Sequence, residues 1–105
     1  MLDASERAAD RINELIDCPT GRRLLHVNQM RNSAQAISAN IAEGFGRGTE
    51  GDRARMLRIA RAEAEETIRH LSANLRAKRV TPRKYWPIHN LLVVIVKMLN
   101  SLLHR

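Results

Sequence analysis

The sequence predicts an all-α domain, an antiparallel up-down-up-down four-helix bundle. Apolar residues recur three and four positions apart in four successive stretches, and Pro or Gly punctuation separates those stretches by only a few residues. The apolar palette agrees. Of 105 residues 44% are apolar, yet only Phe45, Tyr85 and Trp86 are aromatic, so Leu, Ile, Val, Ala and Met must fill the core. No stretch alternates apolar and polar residues at the short spacing an all-β fold needs. This length makes one domain, residues 1–105, that buries about two-thirds of its unfolded surface.

The first helix spans about 4–17. Asp3 and Glu6 have capping-box spacing, and Ala8, Ala9, Ile12, Leu15 and Ile16 share one face. Pro19 ends it. The second spans about 21–44, with Thr20 as its cap and Val27, Met30, Ala34, Ile37 and Ile41 as its seam. Three glycines among residues 44–48 must stop it and can supply a left-handed cap. Thr49 caps the third helix, about 50–77, whose seam is Leu57, Ala60, Ala64, Ile68, Leu71 and Leu75, with Glu65 and Arg69 as an outward pair. Thr81-Pro82 starts the fourth, about 82–104. There Tyr85, Ile88, Leu92, Ile95, Leu99 and Leu102 form one seam, and Leu91, Val94, Met98 and Leu103 widen it. That arc exceeds one bundle contact, so either helix four is the most central or a second copy covers it.

Composition narrows the function classes. A single cysteine, Cys18, excludes an internal disulfide, and a reducing cytoplasm is the expected compartment. The longest apolar run, residues 91–96, is closed by Lys97 and is far short of the roughly 20 residues of a membrane span. His26, His70, His89 and His104 lack metal-ligand spacing, and no nucleophile elbow occurs, so neither metal, cofactor nor catalysis is expected. Net charge is +7, with 15 of 18 basic residues arginine. It is −3 over residues 1–20 and +10 over the rest. Such charge suits phosphate-bearing or acidic partners, or serves only solubility.

The run Ile37-Ser38-Ala39-Asn40-Ile41-Ala42-Glu43-Gly44-Phe45-Gly46-Arg47-Gly48, followed by Leu57-Arg58-Ile59-Ala60-Arg61, resembles the bacterial four-helix bundle family, also called the ribosomal-RNA intervening-sequence protein family. Accessory proteins of diversity-generating retroelements resemble that family in fold. Those accessory proteins form basic pentamers that bind nucleic acid and a reverse transcriptase, so the resemblance implies a basic homo-oligomer, a pentamer by analogy, that binds RNA or DNA, with a reverse transcriptase or another protein as the partner in the alternative reading.

Two sets of residues stand out. Asn40, Glu43, Gly44, Arg58 and Arg61 lie in the family-like segments. A buried or half-buried Glu43–Arg58 pair, with Asn40 holding backbone near the turn, is expected as a structural lock; a general-base role for Glu43 lacks any companion group. The glycine run follows a helix and lacks a phosphate loop's Lys-Ser/Thr ending. Up-down topology puts the first and third connections at one end, collecting Arg22, Arg23, Arg76, Lys78, Arg79, Arg83 and Lys84 beside a single acidic neighbour, Asp17. That is a phosphate footprint. Tyr85 and Trp86 adjoin it and either stack on unpaired bases or, as is commoner for Trp86, belong to the core. The expected function is a non-catalytic nucleic-acid-binding oligomer; the alternative is a protein-interaction scaffold.

Overall fold

The computed structural model describes residues 1–104, apart from the side chain of Thr20. Its helices are α1 (Leu2–Asp17), α2 (Val27–Phe45), α3 (Glu50–Arg76) and α4 (Pro82–Leu103), with a 3-10 turn over Pro19–Arg23. Neighbours in sequence are neighbours in space. The helices pack α1 on α2, α2 on α3, α3 on α4 and α4 back on α1, and the diagonal pairs do not approach. This closed up-down-up-down ring makes a rod of 44 × 20 × 19 Å.

The seams meet along the rod axis. Ile12, Met30, Ile37, Ile41, Leu71, Leu92, Ile95 and Leu99 are fully buried, and so are Ala60 and Ala64 of α3. One polar pair crosses this core, Ser33 to Thr67, with hydroxyls 2.7 Å apart. One of the two hydroxyls donates across the pair while the other donates to a carbonyl of its own helix, Met30 for Ser33 or Glu63 for Thr67, so neither oxygen is left unmet. By length and composition α4 is apolar enough to cross a membrane, yet Tyr85, Ile88, Leu92, Ile95 and Leu99 form its seam in the bundle.

Several boundaries differ from expectation. Helix α1 starts at Leu2 without a side-chain cap, so Asp3 and Glu6 form no capping box; Asp3 lies in the first turn, where its charge suits the helix dipole. Helix α2 starts at Val27, not residue 21. Gly21 explains part of the delay, because the 3-10 turn folds it against α1 so closely that a Cβ would sit 1.9 Å from the Ile16 carbonyl oxygen. His26, left-handed at φ 57°, then turns the chain into α2. The expected Thr20 cap falls on a side chain outside those described.

Caps at Thr49 and Thr81 form as expected, their hydroxyls accepting from the Asp52 and Lys84 amides. The left-handed glycine after α2 does not form. Gly46 stays right-handed at φ −86°, its amide shared between the Ala42 and Glu43 carbonyls. Glycine matters instead at Gly44, where a Cβ would lie 3.1 Å from Met56 Cβ of α3. Two helices approach there because no side chain separates them.

Candidate nucleic-acid interface

The α1–α2 and α3–α4 connections share one end of the rod, and one buried side chain joins them. Asn74, in the last turns of α3, accepts from the Leu25 amide at 2.6 Å and donates to the Leu25 carbonyl at 3.0 Å and to the His70 carbonyl at 2.9 Å. A primary amide can make this two-point match to a peptide; an aliphatic residue at the same seam position cannot. Helix α3 then closes in a Schellman turn, with Lys78 N donating to Leu75 O at 3.0 Å and Arg79 N to Asn74 O at 2.8 Å. The left-handed position, usually glycine, is Lys78 at φ 59°. This turn accepts steric cost and gains a cation.

Arg22, Arg23, Arg76, Lys78, Arg79, Arg83 and Lys84 are all exposed at this end. Among the described residues none of the seven enters an ion pair. Asp17, the nearby acid, is engaged by Arg31 at 3.3 Å, which also donates to Asn13 at 3.1 Å. Arg79 reaches across to the Arg23 carbonyl at 3.3 Å, tying the two connections a second time. Between them lies a groove of about 510 Å³ with Leu15, Leu24, Leu75 and Val80 in its wall and Arg23, Lys78, Arg79 and Lys84 around it. An unneutralised cationic rim over an apolar wall attracts anions and can hold a flat or apolar group beside them.

The two aromatic candidates separate. Tyr85 is only 4% exposed and its hydroxyl lies 3.0 Å from that of Ser72, so it is a core residue and offers no stacking face. Trp86 is 48% exposed, not core. Their adjacency is the reason, since consecutive helical residues diverge by about 100° and Tyr85 takes the inward direction.

The opposite end departs from the expected lock. Glu43 is exposed and pairs with Arg47 one turn on, while Arg58 is exposed and in no ion pair among the described residues. Ile41 and Gly44 are the inward positions of α2 at this level, which turns Glu43 outward. Asn40 donates to the Ala36 carbonyl of its own helix at 2.7 Å, not to the turn. Arg61 instead joins α3 to α4 by donating to the Asn100 side-chain amide oxygen, Oδ1, at 2.9 Å, and lies 4.0 Å from Glu65. Glu65 therefore faces back to Arg61, and the expected Glu65–Arg69 pair does not form.

Helix packing also unites groups that sequence spacing left scattered. The His26 and His70 rings lie 5.1 Å apart, with Glu66 3.5 Å from His70. No cluster of three or more His, Cys, Asp or Glu able to hold a metal occurs among the described residues. The Glu63 carboxyl is pushed above its usual range, first by partial burial and then by the neighbouring Glu66.

The family model described as 23S rRNA-intervening sequence protein matches residues 1–101, and the chain belongs to that family. A crystal structure of a protein with unknown function from the S23 ribosomal protein family of Bacteroides thetaiotaomicron is similar over 99% of this chain and 98% of that one. Its TM-score is 0.89 and its sequence identity 28%. Among curated proteins none matches. Neither description names a catalytic activity.

Proposed function

We propose that this member of the 23S rRNA-intervening sequence protein family is a non-catalytic cytoplasmic module that binds RNA or DNA through phosphate contacts at its basic end. The observation that carries the reading is the set of seven exposed cations at this end, none ion-paired among the described residues, four of which, Arg23, Lys78, Arg79 and Lys84, line one groove. Phosphates displace condensed counterions on meeting such a surface, so affinity is strongly salt-dependent and largely blind to sequence. Self-association multiplies the effect. Pro87, Leu91, Val94 and Met98 stand partly or fully exposed along α4, and a homo-oligomer, a pentamer by family analogy, covers that stripe and repeats the cationic end around a ring.

Reversing Arg79, Arg83 and Lys84 to Glu tests the site in an RNA-binding titration across a salt series. Affinity is expected to fall at least tenfold, and the log–log salt slope by about 0.7 per lost contact, roughly 2 in all. An unchanged affinity and slope would remove the site. Light scattering gives the subunit count, and a monomer would remove the pentamer.

The groove's apolar wall favours a second reading, a scaffold for an acidic protein segment such as one on the reverse transcriptase of a diversity-generating retroelement. Protein purified at low salt separates the two. Nuclease-sensitive material absorbing at 260 nm supports the first, and its strict absence beside a reverse transcriptase gene supports the second.

A further inference from the structure

We propose that Trp86 is a stacking platform for an unpaired base, which makes the basic end select single-stranded over duplex nucleic acid. The proposal deepens the phosphate-binding reading and rests on it. Phosphate contacts alone do not distinguish strands. An exposed aromatic beside them does, because only an unpaired base offers its face.

Three features fit the ring for that task. It is held in place: the Tyr85 and His89 rings lie 4.9 and 5.0 Å from the Trp86 centroid, at 84° and 76° to its plane, and Ser72 fixes Tyr85. A pre-positioned indole loses little freedom on binding. It is also set among cations. Arg83 is one turn before it on α4, and on α3 the residues one turn either side of Ser72 are Arg69 and Arg76, all three exposed. A base on Trp86 therefore has cations on both neighbouring helices for its flanking phosphates.

The third feature is its separation from the apolar stripe of α4. With Tyr85 inward, steps of about 100° put Trp86 on the α3 flank, the side where Asn100 meets Arg61. Pro87 and Met98 lie on the other flank, Pro87 beside Arg11, Glu14 and Leu15 of α1 and Met98 beside Met1 just before it. Between them run the exposed polar residues Arg83, Asn90 and Lys97. An interface that covers the stripe can leave Trp86 open.

Trp86 is the chain's one tryptophan, so its emission reports the site directly. The full-length protein is titrated with four probes of equal length: oligo-U, oligo-dT, an abasic DNA strand and a blunt DNA duplex. The two base-bearing single strands should quench Trp86 emission, and the abasic strand and duplex should bind without quenching. Trp86→Ala should weaken oligo-U about 5- to 150-fold and leave duplex and abasic affinity within twofold; Trp86→Phe should recover much of the loss. Circular dichroism should show both variants folded, as an exposed position allows. If all four probes bind alike with no emission change, the stacking role is wrong and the phosphate site stands. Should none bind at low salt, both fail. Loss of the oligomer in Trp86→Ala would instead assign the ring to self-association.

Discussion

The two ends of this bundle are closed by different means. At the α2–α3 turn the closure is packing, since Gly44 lets Met56 approach, and acids dilute the cations: Glu43 pairs with Arg47, Glu50 and Asp52 lie in the first turn of α3, Arg53 stands 5.6 Å above the Phe45 ring, and Arg55 and Arg58 stay exposed without an ion pair among the described residues. At the other end the closure is hydrogen bonding, through Asn74 and the Schellman turn, and seven cations stand around it with no carboxylate partner among the described residues. The comparison teaches that the family-like segments build the closed end, while the chemistry able to meet an anion is at the end with few recognisable residues.

The largest way to break this contrast is to remove the amide that holds the open end together. Asn74→Leu strands the Leu25 amide and carbonyl inside the structure, at roughly 1–3 kcal/mol for each buried unmet group. A urea melt should show about 3 kcal/mol of lost stability. A loss under about 1 kcal/mol would mean that the two connections hold their positions without it.

A smaller change sharpens the contrast, because stability and binding should move in opposite directions. Lys78→Gly relieves a left-handed lysine worth roughly 1–2 kcal/mol, so the melting temperature should rise by several degrees. RNA affinity at low salt should fall a few-fold, since one rim cation is gone. If affinity were to rise along with stability, Lys78 would be a turn residue alone.

The smallest effect is at mid-rod, away from both ends. Glu63 has its pKa raised in the folded state, so the folded protein holds this proton more tightly than the unfolded chain. Stability from this group is present at low pH and is lost as pH rises from the ordinary carboxylate value through the raised one. Glu63→Gln should therefore melt slightly higher than the parent at pH 7 and not at pH 3. A variant that melts lower at pH 7 would show that the charge is favourably placed.

The contrast between the ends also marks what the sequence made legible. Seams such as Met30–Ala34–Ile37–Ile41 repeat locally, so they declare the helix faces, and short links then dictate the antiparallel ring. Topology alone also placed the seven cations at one end. The misses share a cause, which is that they depend on contacts between elements. Asn74 answers to Leu25, 49 residues away, and its one local sign is a polar residue at a seam position. Glu43 and Arg58 lie in family-like segments of two antiparallel neighbouring helices near their turn, but proximity in a motif does not aim two side chains at each other. Trp86 is exposed because Tyr85 holds the inward direction, a difference that the helix-four seam already marks by taking Tyr85 and passing over Trp86.

The most direct test of the difference between the ends is a matched pair of triple charge reversals in one RNA-binding titration. One variant changes Arg79, Arg83 and Lys84 to Glu; the other changes Arg47, Arg53 and Arg55. Each alters net charge equally, so general attraction to polyanions is held constant. The basic-end variant should lose at least tenfold more affinity than the turn-end variant, with its salt slope lower by about 2. Equal losses from the two ends would contradict the account.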